Sequence, residues 1–126
     1  MKNDYASDRS EHIRKIKSDS SLVPSVPYDI KSLTDYTNDS IVSRTITNNK
    51  SGTMTIFSFD AGQGLSEHSA PYVAYVQVID GRALLTIGGK QIKASSGELV
   101  LMPADIPHAV FAEERFKMLL TMIKGK

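Results

Sequence analysis

Two histidines carry most of the chemistry open to this 126-residue chain. His68 stands in GLSEHSAPYVAYVQVIDG, just ahead of a run that alternates like a β-strand. His108 stands in MPADIPHAVF, between prolines and a second apolar run. Imidazole titrates near neutral pH and coordinates metals, so a converging pair suits a general base or a metal site. A third histidine, His12, lies in a polar N-terminal stretch and reads as solvated surface. There is no cysteine, which excludes thiolate nucleophiles, disulfides and Cys-based zinc sites. The glycines at 62, 64, 81, 88, 89 and 97 read as turn geometry, because no Gly-rich loop here opens a helix to cradle phosphate.

The elements that must bring His68 and His108 together are strands. From about residue 40 the runs IVSRTI, GTMTIFSFD, YVAYVQVI, RALLTI, QIKA, GELVLM, HAVFA and FKMLLTMI are short and rich in β-branched and aromatic residues. Asp80-Gly81, Gly88-Gly89 and Ser96-Gly97 punctuate them at even spacing and read as tight hairpin turns. Seven or more such strands without intervening helices predict an all-β protein, an antiparallel barrel or sandwich. Alternation puts His68 on one face with Ala70 and Tyr72, and Glu67 and Ser69 on the other. His108 shares its face with Val110 and Ala112. Both histidines fall at strand beginnings, which suits a cavity near one end of a barrel, walled by Val76, Val78, Met102 and Val110.

Residues 28–126 are predicted to form a single domain and residues 1–27 a mobile or loosely docked arm. Within the arm, Ile13 and Ile16 have the spacing of a short helix after Ser10. Further on, DIKSLTDY offers Asp29 as the N-cap of a helical turn carrying Ile30 and Leu33. Composition is that of an ordinary globular protein, 40% hydrophobic and 23% charged, with a net charge of +1. That charge gathers neither nucleic acid nor anionic lipid. No apolar run has the length of a membrane span, and the first residues lack the apolar core of a signal peptide, so a cytoplasmic protein is expected.

The two histidine segments resemble the cupin superfamily, small antiparallel β-barrels of jelly-roll topology. Gly62, His68 and Gly81 fit its first motif. Gly97, Pro103 and His108 fit its second, with Asp105 in place of a glycine, and the likeness runs over roughly residues 40–123. Metal-binding cupins hold a divalent ion with three histidines and a glutamate. The resemblance therefore implies a metal site on His68 and His108, but with Ala70 at the second histidine and Ala74 or Tyr75 at the glutamate position. Glu67, if a bulge turns it inward, and Asp105, in the loop before His108, are the candidate third ligands. The expected function is small-molecule binding at an incomplete metal site, with a divalent ion as candidate cofactor. Two enzyme readings stand beside it: a metal-dependent oxygenase or isomerase, and a metal-free epimerase pairing a histidine base with Tyr72 or Tyr75 as acid. A third class is a structural dimerisation module. The outward set Val73, Tyr75, Gln77 and Ile79 is apolar for a solvated face, and a homodimer is expected on that ground.

Overall fold

The computed structural model describes residues 13–15 and 22–125. Among the described residues ten strands follow one another: β1 (Ile13–Lys15), β2 (Ile41–Asn49), β3 (Gly52–Phe59), β4 (Gly64–His68), β5 (Val73–Asp80), β6 (Arg82–Ile87), β7 (Lys90–Ser95), β8 (Leu99–Met102), β9 (His108–Phe111) and β10 (Phe116–Ile123). They form a six-stranded sheet in the order β1-β2-β3-β10-β5-β8 and a four-stranded sheet in the order β4-β9-β6-β7. Apart from the parallel β1–β2 pair, every pairing is antiparallel.

The core lies between the two sheets, and the period-two pattern of the sequence fills it. Ala74, Val76 and Val78 of β5 point inward with Met118, Leu120 and Met122 of β10. Leu65, Ala83, Leu85, Ala94 and Val110 meet them from the smaller sheet. Phe59 and Phe116 stack nearly parallel, with ring centroids 4.5 Å apart, and Phe57 sits 5.9 Å from Phe59.

The evenly spaced turns do different work from one another. Gly88 and Gly89 close the β6–β7 hairpin with φ of 58° and 81°. Gly81 (φ 71°) and Gly97 (φ 92°) instead carry the chain from one sheet to the other, β5 to β6 and β7 to β8. Positive φ sets the local reversal, but which strands pair afterwards depends on which apolar faces must meet.

The outer face of the larger sheet is partly covered by residues 22–36. Asp29 caps a 3-10 turn, Ile30–Leu33, its side chain accepting from the Lys31 amide. Leu33 packs with Ile56 and Ile79 into a second cluster flanked by Leu22, Ile30, Ile46 and Leu119. Ile79, expected outside and available to a partner, is thus covered by the chain itself. Lys117 anchors this segment: its side chain is buried under it, and Nζ donates to the carbonyls of Lys31 and Thr34 at 2.5 and 2.6 Å. Tyr36 lies beneath that ammonium, 4.9 Å from Nζ to the ring centroid, and its hydroxyl donates to Asp80. Burial and the Asp80 carboxylate together push the Tyr36 phenol well above its ordinary range. Lys117→Met keeps the stem but leaves both carbonyls without their charged donor. We expect it to cost about 2–3 kcal/mol, read as a lower urea midpoint at unchanged slope.

Of the predicted N-terminal arm, Ile13–Lys15 is a strand. It pairs in register with Ile41–Ser43, and Ile13 packs against the main core. The open edge of β2 supplies the hydrogen-bond partners that an isolated helical turn would have to find within itself. His12 and Ile16 lie outside the described residues. Among the described residues no helix is long and apolar enough to cross a membrane.

Candidate functional site

His68 ends β4 and His108 begins β9, and the antiparallel register sets them directly opposite each other. Their rings meet edge to face, centroids 4.7 Å apart at 66°. What turns His68 inward is a bulge. Leu65 pairs with Val110 and His68 with His108, so β4 takes three steps where β9 takes two. Leu65 is buried, and strict alternation from it would have sent Glu67 inward and His68 out. The extra residue reverses this: Glu67 is exposed, and His68 falls in phase with Leu65, Val110 and His108. The bulge at which Glu67 was expected to turn inward therefore exists, and it presents the neighbouring histidine.

The backbone also fixes how each ring is protonated. His68 Nδ1 lies 2.7 Å from the Ser66 carbonyl and His108 Nδ1 lies 3.2 Å from the Ile106 carbonyl. A carbonyl oxygen only accepts, so Nδ1 of each ring carries the proton. In the neutral imidazole Nε2 is then the lone-pair nitrogen. His108 is buried. That burial, followed by the neighbouring His68, holds its pKa below the ordinary imidazole value, against a smaller opposing effect of the Ile106 hydrogen bond. A group whose folded pKa is depressed binds fewer protons folded than unfolded in the window between the two values. Stability must then be fully present above the unfolded imidazole value of about 6.5 and fall as pH drops below it. We expect the melting temperature to decline on acidification through that range, and His108→Gln to flatten the decline.

The remaining candidate residues sort clearly. Ala70, Ala74 and Ala112 are buried in the core, as are the expected wall residues Val76, Val78, Met102 and Val110. Tyr72 is half-buried against the same core, with the Lys124 ammonium 5.7 Å from its ring centroid. Tyr75 is on the opposite face of β5, paired with Leu101 and Thr121 and exposed to solvent, so it is not brought to the histidines. Of the two positions open for the glutamate of the metal motif, Ala74 is the inward one. Asp105 is exposed at φ 66°, its amide donating to the Ala70 carbonyl at 2.8 Å, and Glu98 accepts from the Ser95 amide. Arg44, weighed as a residue pointing into the barrel, donates to the Leu33 carbonyl on the outer face.

Among the described residues no group of three or more histidine, aspartate or glutamate side chains converges. Two imidazoles with alanines where further ligands would stand are a smaller set than zinc or non-haem iron centres use. Among the described residues the donor set does not fit a catalytic metal. What they offer is a pair of imidazoles whose orientation the backbone fixes.

Sequence and structure comparisons agree on the lineage. A family model described as a cupin domain matches residues 55–124. A conserved protein of unknown function from Streptococcus pyogenes superposes with a TM-score of 0.78 at 31% identity, over 94% of this chain and 99% of its own. A cupin 2 conserved barrel domain protein from Leptotrichia buccalis is 40% identical over 77% of this chain and 47% of its own, with a TM-score of 0.76. A cupin superfamily protein from Desulfitobacterium hafniense gives a TM-score of 0.78 at 23% identity, over 82% of this chain and 95% of its own. No match was found among curated proteins.

Proposed function

The chain belongs to the cupin family, and from that premise we propose that it binds a small molecule through His68 and His108 without a catalytic metal. The observation that carries this reading is the register pairing of the two rings. A bulge turns one ring inward, and a backbone carbonyl holds each by Nδ1. Such fixed orientation is costly to arrange for a packing residue and useful for recognition, where a few placed polar groups set in an apolar wall confer specificity. A thermal-shift screen of metabolites on metal-depleted protein tests it. At least one compound is expected to raise the melting temperature, and both His68→Gln and His108→Gln should abolish that rise while keeping the wild-type circular dichroism. Shifts that survive both substitutions would contradict the reading.

A homodimer is the proposed assembly. Leu99 and Leu101 of β8 are 63% and 52% exposed, and Tyr75 and Ile123 add apolar surface to the same outer face of the larger sheet. The edge strand β8 is short, but its outward leucines form a contiguous patch with that face, of the kind a partner covers. Leu99→Lys with Leu101→Lys is expected to shift a sedimenting dimer to monomer. An unchanged mass distribution would place the contact elsewhere.

A further inference from the structure

We infer that β8 pairs antiparallel with β8 of a second copy, about a twofold axis at Val100, so that the larger sheet runs through both protomers. This rests on the homodimer reading above and names the contact that forms it. The first step is charge. The described sheets end in β1 and β8, and in β4 and β7. β1 contains Arg14 and Lys15, β4 contains Glu67, and β7 contains Lys90 and Lys93. Among these described edges β8, Leu-Val-Leu-Met, is the one without a charged residue. Charged residues on an edge guard it against pairing, and β8 lacks that guard.

The second step is which backbone groups stand open. The Val78 amide donates to the Glu98 carbonyl at 3.0 Å, so that carbonyl faces β5. Alternation turns the backbone groups of Val100 and Met102 toward β5 as well, opposite Val76 and Ala74. The N–H and C=O groups of Leu99 and Leu101 are therefore the ones at the open edge. Pairing centred on Val100 sets Leu99 against Leu101 of the partner subunit and joins all of these groups. A slip onto Leu99 sets Leu101 against Gly97 of the partner subunit, and the Gly97 amide already donates to the Val78 carbonyl. A slip onto Leu101 sets Leu99 against Pro103 of the partner subunit, and proline has no amide hydrogen.

The third step is the occupant. A second copy brings a preformed strand of the same uncharged pattern, whereas a free peptide must first be ordered. On the outer face the cross-strand pairs Tyr75–Leu101 and Gln77–Leu99 then continue through the axis, leucine beside leucine.

The test uses the full chain, which has no cysteine, so Val100→Cys adds its one thiol. Val100 falls at a non-hydrogen-bonded position of the pairing, where Cα atoms stand about 4.5 Å apart, within disulfide reach. Mild oxidation should link most chains into dimers on a non-reducing gel. Ile123→Cys, on the same outer face but two strands from the axis, should not link. In the unsubstituted dimer, NMR should show the Leu99 and Leu101 amides exchanging more than about tenfold slower than in an unstructured peptide of that sequence. A sedimenting dimer with less protection at these amides, or one that links through Ile123→Cys and not Val100→Cys, would overturn the inference and leave the homodimer reading standing. A monomer overturns both, whether its edge amides are unprotected or are covered by a co-purified peptide.

Discussion

Phe59→Ala is expected to destabilise the protein by about 3–5 kcal/mol, a large share of the roughly 5–15 kcal/mol that holds a domain of this kind folded. The ring is fully buried. It stacks on Phe116 with centroids 4.5 Å apart and lies 5.9 Å from the Phe57 ring. Phe116 opens β10, the strand that pairs with both β3 and β5, and it is the register partner of Phe59 itself. Backbone ladders on both sides hold the surrounding residues in place and limit collapse into the void. This places the expected cost in the upper range for such truncations. Chemical denaturation reads the loss directly. A change under about 1 kcal/mol would mean that the stack is not the centre of the core.

The second large effect concerns the alanines. If the histidine pair lacks a metal because its companions are missing, restoring them should create one. Ala70→His with Ala74→Glu supplies the second histidine and the glutamate of the cupin motif, at the inward position of β5 rather than the outward Tyr75. Without metal this variant should melt well below the parent, since it forces an imidazole and a carboxyl into closely packed apolar surroundings. With added Mn2+, Ni2+ or Zn2+ the loss should be reversed. Free ion at about 1,000 times its dissociation constant adds about 4 kcal/mol to the folded state. The parent protein, measured in parallel, should show no comparable response. Equal responses in parent and variant would contradict the view that Ala70 and Ala74 are what disarms the site.

These residues also show where sequence reading reaches its limit. The runs YVAYVQVI and FKMLLTMI located β5 and β10, and alternation located the inward Val76 and Val78 of β5, because burial on one face imposes a period of two. Asp29 as a cap and Ile30–Leu33 as a single turn were equally visible in DIKSLTDY. The pairing of β3 with β10, distant in sequence, was not, since nothing local selects a partner. For the same reason Asp80-Gly81 and Ser96-Gly97 read as hairpins although they join different sheets. At the site, the meeting of His68 with His108 was legible from motif spacing, but the bulge that orients His68 was not. Its one trace is the pair of consecutive polar residues, Ser66 and Glu67, where an alternating strand would place a single one. Nothing local in FKMLLTMI marks Lys117 as an anchor; the segment folded over it does.

Metal content gives the most direct test of the central claim. Protein purified without an affinity tag and without added metal should carry well under one transition-metal ion per chain by elemental analysis, and its melting temperature should not rise when Mn2+, Fe2+, Ni2+ or Zn2+ is supplied. One ion per chain that survives dialysis, with a melting temperature that depends on it and on both His68 and His108, would contradict it.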